Sequence, residues 1–251
     1  MNFIIFAILW VIFSLFGEWG ANWLIAHYPM VGSVQGKISD DAIFFLLKWS
    51  VPIFVFVTLW IVYSVIRFRA RTGEEGPAPN QEKDNWRFSW TWFILSAIIN
   101  IIFIINPGVT GLDALWAHEK TADPLEVDVT AAQWNWTFSY PQYGIKNYDQ
   151  LILPVDQEDK FVLQTDDVMH SFWVPAFRIK KDVMPGETRT LFMKPTAISS
   201  TEKNPLMRVQ CSQMCGVGHA EMRALVKVVS KEEFNKWVEK NRGKDFTPPG
   251  Y

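Results

Sequence analysis

The sequence predicts a membrane-anchored all-β protein, with apolar helices first and one β domain after them. Two observations carry that prediction and a third agrees with it. Residues 42–66 and 90–105 are long apolar runs of the kind that cross a bilayer. Past Pro107 the pattern changes to short runs of period-two alternation, the signature of strands with one buried face. Hydrophobic residues make up 49% and aromatics 15%, with 13 Trp, which suits interfacial aromatic belts.

The apolar segments come first in the chain. Residues 3–16 contain no charge and one Ser, and the run extends to about Ile25 if Glu18 lies at the interface. A signal peptide is the alternative. No basic residue precedes the run and no A-x-A site follows it, so a retained transmembrane helix is expected. Residues 42–66 form the next span, with Lys48 near one end, where it can snorkel to the headgroups. Pro52 is tolerable there because membrane helices accept kinks. Residues 90–105 form another span, and Asn100 in its middle is expected to bond to a neighbouring helix. Residues 67–87 carry Arg67, Arg69, Arg71, Lys83 and Arg87, whereas 26–41 offers only Lys37. The bias of basic residues toward the cytoplasm puts Met1 and the 67–87 loop inside, and everything after 106 outside. The expected organisation is an N-terminal transmembrane helix and outer loop (1–39), a transmembrane helical hairpin (40–106) and an outer-side domain (107–251).

In the outer part, 107 to about 123 reads as a connector. Strands are expected within 125–140 and at 151–155, 160–165, 171–176, 187–193, 206–211 and 222–229. Met184-Pro185-Gly186 and Lys203-Asn204-Pro205 punctuate them. Many short strands separated by turns predict a sandwich or barrel. Residues 231–242 are polar with Phe234 and Trp237 three apart, which predicts a surface helix.

One stretch concentrates the chemistry. Cys211-Ser-Gln-Met-Cys215-Gly-Val-Gly-His219-Ala-Glu-Met222 holds both cysteines of the chain, an imidazole and a thioether within twelve residues. A bare C-x3-C in an exported domain can be a disulfide, or half of a Cys2His2 zinc site, and Met222 alone would be core. Taken with His170 upstream, the joint spacing points to copper, which favours thiolate, imidazole and thioether donors. A mononuclear blue-copper site needs two His, one Cys and a weak Met. This sequence offers one thiolate more. Two bridging sulfurs would then serve two metals, with His170 and His219 as one imidazole each, Met222 as a weak ligand and the Gln213 carbonyl as the other. His27 and His118 have no such company. The charge balance, 24 basic against 26 acidic residues, gives no basic excess for nucleic acid. Two cysteines are too few for a disulfide framework.

The C-S-x-x-C-G-x-x-H-x-x-M stretch, the upstream Asp167-Val-Met-His170-Ser-Phe-Trp-Val-Pro175 and the membrane hairpin together resemble subunit II of haem-copper cytochrome c oxidases. The resemblance covers most of 40–230. It implies a cupredoxin-like Greek-key β-barrel carrying the dinuclear copper centre CuA. Cys211 and Cys215 would bridge, His170 and His219 would be terminal ligands, and Met222 and the Gln213 carbonyl weak ones. Trp134, in Gln133-Trp-Asn-Trp136, matches the aromatic stretch near the cytochrome c docking surface. The implied function is acceptance of electrons from cytochrome c or a similar donor and their transfer to haem in subunit I, where O2 is reduced to water; no catalytic residue is expected in this chain. The implied partners are subunit I, subunit III, the donor and the lipid bilayer, in the plasma membrane of a prokaryote with the copper domain on the periplasmic side. Three departures stand out. Gln213 replaces the usual Glu, as in B-type oxidases, and removes the side chain that reaches a Mg or Mn ion at the subunit I interface. Ser89 stands where many members carry an acid near a proton channel, with Glu82 and Asp84 nearby. The N-terminal span is additional to the two-helix plan. No C-x-x-C-H haem attachment follows, so the donor is not fused. The competing reading is a copper-free or mononuclear membrane-anchored cupredoxin, either a quinol oxidase subunit or a copper chaperone.

Overall fold

A computed structural model describes residues 3–69 and 85–247. Most of the basic 67–87 loop, with Glu82 and Asp84, lies outside the described residues. The chain divides into two compact units, Met1–Tyr28 with Asp41–Gly111, and Pro29–Asp40 with Leu112–Tyr251.

The first unit is helical. α1 spans Phe3–Ala26, α2 Val34–Arg67 and α3 Trp86–Phe103. Three helical segments among the described residues are long and apolar enough to cross a membrane. α1 lies against α2 through a glycine and a ring of aromatics. A β-carbon on Gly17 would sit 2.7 Å from Val51 Cγ1, so the helices meet where there is no side chain. Phe6 packs edge-on against Phe56 and Trp60, and Trp10 Nε1–H donates to the Pro52 carbonyl at 2.8 Å. That bond satisfies the one polar group of the indole. α3 begins four residues before the apolar run at 90, because the Asn85 side chain accepts from Phe88 N–H and caps it. Asn100 differs from expectation. Its amide donates to the Ser96 carbonyl at 2.8 Å, one turn back in the same helix, which satisfies the donor without a neighbouring helix.

The expected connector after 107 is largely helical. A π turn over Ile104–Val109 breaks at Asn106, whose extended φ of −133° is what a following proline imposes. The chain then resumes as α4, Thr110–His118. Pro107 stands at the front of this new helix, where a missing N–H is harmless.

The second unit is a two-sheet β sandwich. β1 (Leu125–Ala132), β2 (Asn135–Tyr140), β3 (Ile145–Tyr148), β4 (Gln150–Pro154), β5 (Asp159–Thr165), β6 (His170–Trp173), β7 (Lys180–Val183), β8 (Arg189–Met193), β9 (Ser199–Ser200), β10 (Arg208–Cys211) and β11 (Arg223–Val229) precede α5 (Lys231–Asn241). One sheet has the order β3-β2-β1-β5-β8 and the other β4-β11-β10-β6-β7, with β9 on β11. β1 runs parallel to β5 and β4 parallel to β11; the other pairs are antiparallel. Alternation decides which residues face inward. Val127, Val129 and Ala131 of β1 are buried, and so are Phe161 and Leu163 of β5. They meet Phe138, Leu151, Phe172, Val209 and Val226 in one core. Each such side chain contributes about 1.5–3 kcal/mol by leaving water. Ser230 and Glu233 form a capping box that starts α5, which packs Phe234 and Val238 onto this core.

Pro29–Asp40 is built into the sandwich rather than lying loose. Gly32 N–H donates to the Ala176 carbonyl at 2.7 Å, Thr196 N–H to the Gly32 carbonyl at 2.9 Å and Val34 N–H to the Lys194 carbonyl at 3.0 Å. The Gln35 amide donates to Glu158 at 2.8 Å and accepts from Lys194 N–H at 2.9 Å. Asp40 pairs with Arg178 at 3.0 Å, both largely buried. Gly36 has to be bare. A β-carbon there would lie 2.7 Å from the Phe177 carbonyl oxygen. His118, which has no chemistry assigned in the sequence, is paired here: its Nδ1 lies 2.8 Å from Glu158 Oε2.

One core residue conflicts with its surroundings. Asp159 is fully buried at the start of β5, and neither carboxyl oxygen has a hydrogen-bond partner among the described residues. Burial, reinforced by the nearby Glu158 charge, pushes its pKa well above the usual carboxylate range. The unfolded chain has the ordinary value, about 3.9. The native state therefore has its full stability below that value and loses stability as pH rises toward the raised folded one. Asp159→Asn matches the parent in melting temperature at low pH and exceeds it by a few degrees at pH 8; parallel thermal melts at the two pH values check this.

Candidate metal centre

The candidate donors come from two neighbouring strand ends. β6 and β10 pair antiparallel with Cys211 opposite Phe172, which puts His170 at the mouth of the same sheet edge where β10 ends. The β10–β11 loop then leaves and returns within twelve residues. Its ends are closed by Cys211 N–H to the Met222 carbonyl at 3.1 Å and Ser212 N–H to the Ser171 carbonyl at 3.0 Å. A single 3-10 turn, His219–Glu221, brings His219 back over the cysteines.

All six sequence-predicted donors meet there. The ligating atoms of His170, Cys211 and Cys215 lie within 4.8 Å of one another. The two Sγ atoms are 3.8 Å apart and both cysteines are free. His170 Nδ1 is 3.8 Å from Cys211 Sγ, and His219 Nδ1 is 3.5 Å from Cys215 Sγ. Met222 Sδ lies 3.8 Å from Cys215 Sγ, and the Gln213 carbonyl oxygen 3.1 Å from Cys211 Sγ. His170, both cysteines and Met222 are buried. Each sulfur has one imidazole and one weaker donor beside it, an arrangement with approximate twofold character.

The electrostatics suit a cation. Burial first, and the adjoining Cys211 second, push the Cys215 thiol up to about 12. Two bare thiolates at this separation would repel in a dry site, so positive charge is what the pair lacks. Buried thiols, imidazoles and a thioether are the soft and borderline donors that copper takes.

Asp167 orients this site. Its Oδ1 accepts from His170 Nε2 at 2.8 Å, and its Oδ2 accepts from Gln133 N–H at 2.7 Å. Burial alone would raise its pKa, but these bonds, with those from Val168 N–H and the Thr165 hydroxyl, hold it below the usual range. The His170 ring is thereby held with Nδ1 facing the sulfurs. A carboxylate so engaged is a poor steering charge for an incoming donor. On this geometry Asp167→Asn lowers metal affinity about 10–100-fold, as loss of an outer-shell partner does; competition against a chromophoric chelator measures it.

Gln133 is the less legible neighbour of the site, beside the Trp134 that the sequence already points to. Gln133 Nε2 donates to the Cys215 carbonyl at 2.8 Å, and Trp134 Nε1 to the same oxygen at 3.1 Å. Trp134 is 42% exposed, so it is a surface aromatic rather than part of the core. The loop also presents Met214 and Val217 to solvent.

Comparison with known proteins follows the same line. A family model described as cytochrome c oxidase subunit II, periplasmic domain, matches residues 144–229, which include every candidate donor. Over that stretch the chain is similar to the periplasmic domain of cytochrome c oxidase subunit II. It is 32% identical over 182 residues to cytochrome c oxidase subunit 2 of Bacillus subtilis (strain 168), covering 70% of this chain and 51% of that relative. It is 29% identical over 238 residues to cytochrome c oxidase subunit 2 of Cereibacter sphaeroides, covering 79% of this chain and 74% of that relative. The chain thus spans about half the length of the first relative. The crystal structure of the periplasmic domain of subunit II of cytochrome oxidase of Bradyrhizobium japonicum aligns at 27% identity and a TM-score of 0.43, over 48% of this chain and 95% of that one. Among the described residues, helices long and apolar enough to cross a membrane precede a two-sheet β sandwich, as the sequence predicts.

Proposed function

We propose that this chain is the electron-accepting subunit of a terminal respiratory oxidase, with a dinuclear copper centre of the CuA type held by Cys211, Cys215, His170, His219, Met222 and the Gln213 carbonyl. The observation that carries the reading is the paired donor set. Four ligands would suffice for one zinc ion, yet each sulfur also has a weak donor, Met222 Sδ or the Gln213 oxygen, at 3.8 and 3.1 Å. A copper pair held by these residues would supply one-electron redox chemistry between an external donor and haem in subunit I.

The chain's own residues prepare the site for that task. The buried walls around Cys211, Cys215 and Met222 exclude water, so little solvent reorganises as charge changes. Asp167 holds His170, and the bonds closing the loop hold Cys211 and Met222, which limits movement of the donors. Trp134 offers an exposed ring whose Nε1–H is bonded to the Cys215 carbonyl, a short path from the surface to a ligand residue. Cytochrome c, or a similar small donor, is the proposed partner on that face, with the haem-copper subunit I and subunit III as membrane partners. A plasma-membrane location in a prokaryote with the copper domain outside completes the reading.

Anaerobic mixing of reduced cytochrome c with the copper-loaded full chain tests it. The expected result is oxidation of one donor haem per chain. No oxidation, or equal oxidation by chain loaded with zinc, contradicts it.

A further inference from the structure

Gly218 lies directly beneath the Trp134 indole. A β-carbon built on it would sit 2.5 Å from Trp134 Cδ2, 2.7 Å from Cγ and 2.9 Å from Cε3. Those are the near atoms of a rigid ring, so the ring as a whole would have to move. The backbone does not demand glycine at this position. Its φ of −86° and ψ of 10° suit any residue. Space for the indole is therefore what the absent side chain provides. Gly216 adds to this seat: its φ is +114°, and a β-carbon there would come within 3.2 Å of Trp134 Cζ2 and 3.1 Å of Gln133 Nε2.

The ring is also tied from above. Trp134 Nε1–H and Gln133 Nε2–H share the Cys215 carbonyl, and Gln133 N–H reaches Asp167, which holds His170. The Gln133-Trp134 pair is thus fixed to both sides of the metal site. The ring's hydrogen bond survives only if the ring can lie flat on a bare Cα.

We propose that Gly218 is a positioning residue for electron transfer from the donor, seating the Trp134 ring against the ligand loop. This rests on the reading of Trp134 as the path from donor to copper. A methyl group at 218 lifts the indole and lengthens or breaks its bond to the Cys215 carbonyl, while the donor set itself is left in place.

The test uses the full chain in detergent, labelled with 5-fluorotryptophan, with Trp134→Phe assigning the Trp134 line. In metal-free Gly218→Ala the Trp134 fluorine line shifts. Once loaded, the variant keeps the parent copper content and paramagnetic resonance spectrum, and its rate of cytochrome c oxidation falls roughly 10-fold or more, within the range that ångström-scale misplacement produces. An unmoved line, an unchanged rate, or a slow rate with an altered copper spectrum overturns the proposal, the last because the methyl would then act through His219. If Gly218→Ala loses copper, the Gly218→Ala/Trp134→Phe double variant decides: recovered loading supports the contact with the indole, and continued loss overturns it. A Trp134→Phe single variant with the parent rate sinks the underlying reading of Trp134 itself.

Discussion

Cys215→Ser abolishes donor oxidation and leaves the β sandwich intact. The substitution is nearly isosteric and the position is buried, so packing survives. What is lost is one of two sulfurs 3.8 Å apart, each with its own imidazole neighbour. A serine hydroxyl is a harder donor and stays protonated, so on the proposed reading a copper pair would lose its shared ligand on that side. The loss of affinity exceeds the roughly 10–100-fold that an outer-shell change produces. Copper analysis is expected to give at most one ion per chain, with unchanged far-ultraviolet circular dichroism. Cys211→Ser behaves the same way on the proposed reading. Retention of two coppers in either variant contradicts it.

Arg178→Met lowers the stability of the second unit by about 3 kcal/mol, the cost of leaving a buried partner charge unpaired. Asp40 is the charge left behind, with its side chain only 7% exposed. Arg178 also donates to the Pro175 and Pro29 carbonyls, so its removal frees both ends of the Pro29–Asp40 segment. For a unit of this size the loss corresponds to a drop of about 6–12 °C in melting temperature. The double variant Asp40→Leu/Arg178→Met recovers part of it, because an apolar pair carries no stranded charge. Near-ultraviolet circular dichroism of the full chain follows the transition. Equal midpoints for the single variant and the parent would show that the segment adds nothing to the sandwich.

The donors were legible because five of the six are concentrated in twelve residues and only His170 is remote. The strands with clear alternation, such as β1 and β5, were legible for the same local reason. β7 was not: three of its four residues are exposed, so its sequence shows no buried face. β9 has two residues, too few for any period. The docking of Pro29–Asp40 is also invisible locally. Val31-Gly-Ser-Val-Gln-Gly36 reads as a loop, and its partners Lys194 and Thr196 lie about 160 positions away. Gln133 matters through the Cys215 carbonyl and Gly218 through the Trp134 ring, and nothing in the short stretch around either one announces it. Asp167 carried a partial signal, an acid three residues before a histidine. Its geometry is that of an orienting partner.

Electron paramagnetic resonance of the copper-loaded full chain addresses the shared-sulfur pair most directly. One unpaired electron spread over two equivalent copper nuclei gives seven hyperfine lines, and the account requires that pattern together with two coppers per chain. Four lines from one copper, or a silent spectrum from chain whose cysteines are bonded to each other, would contradict it.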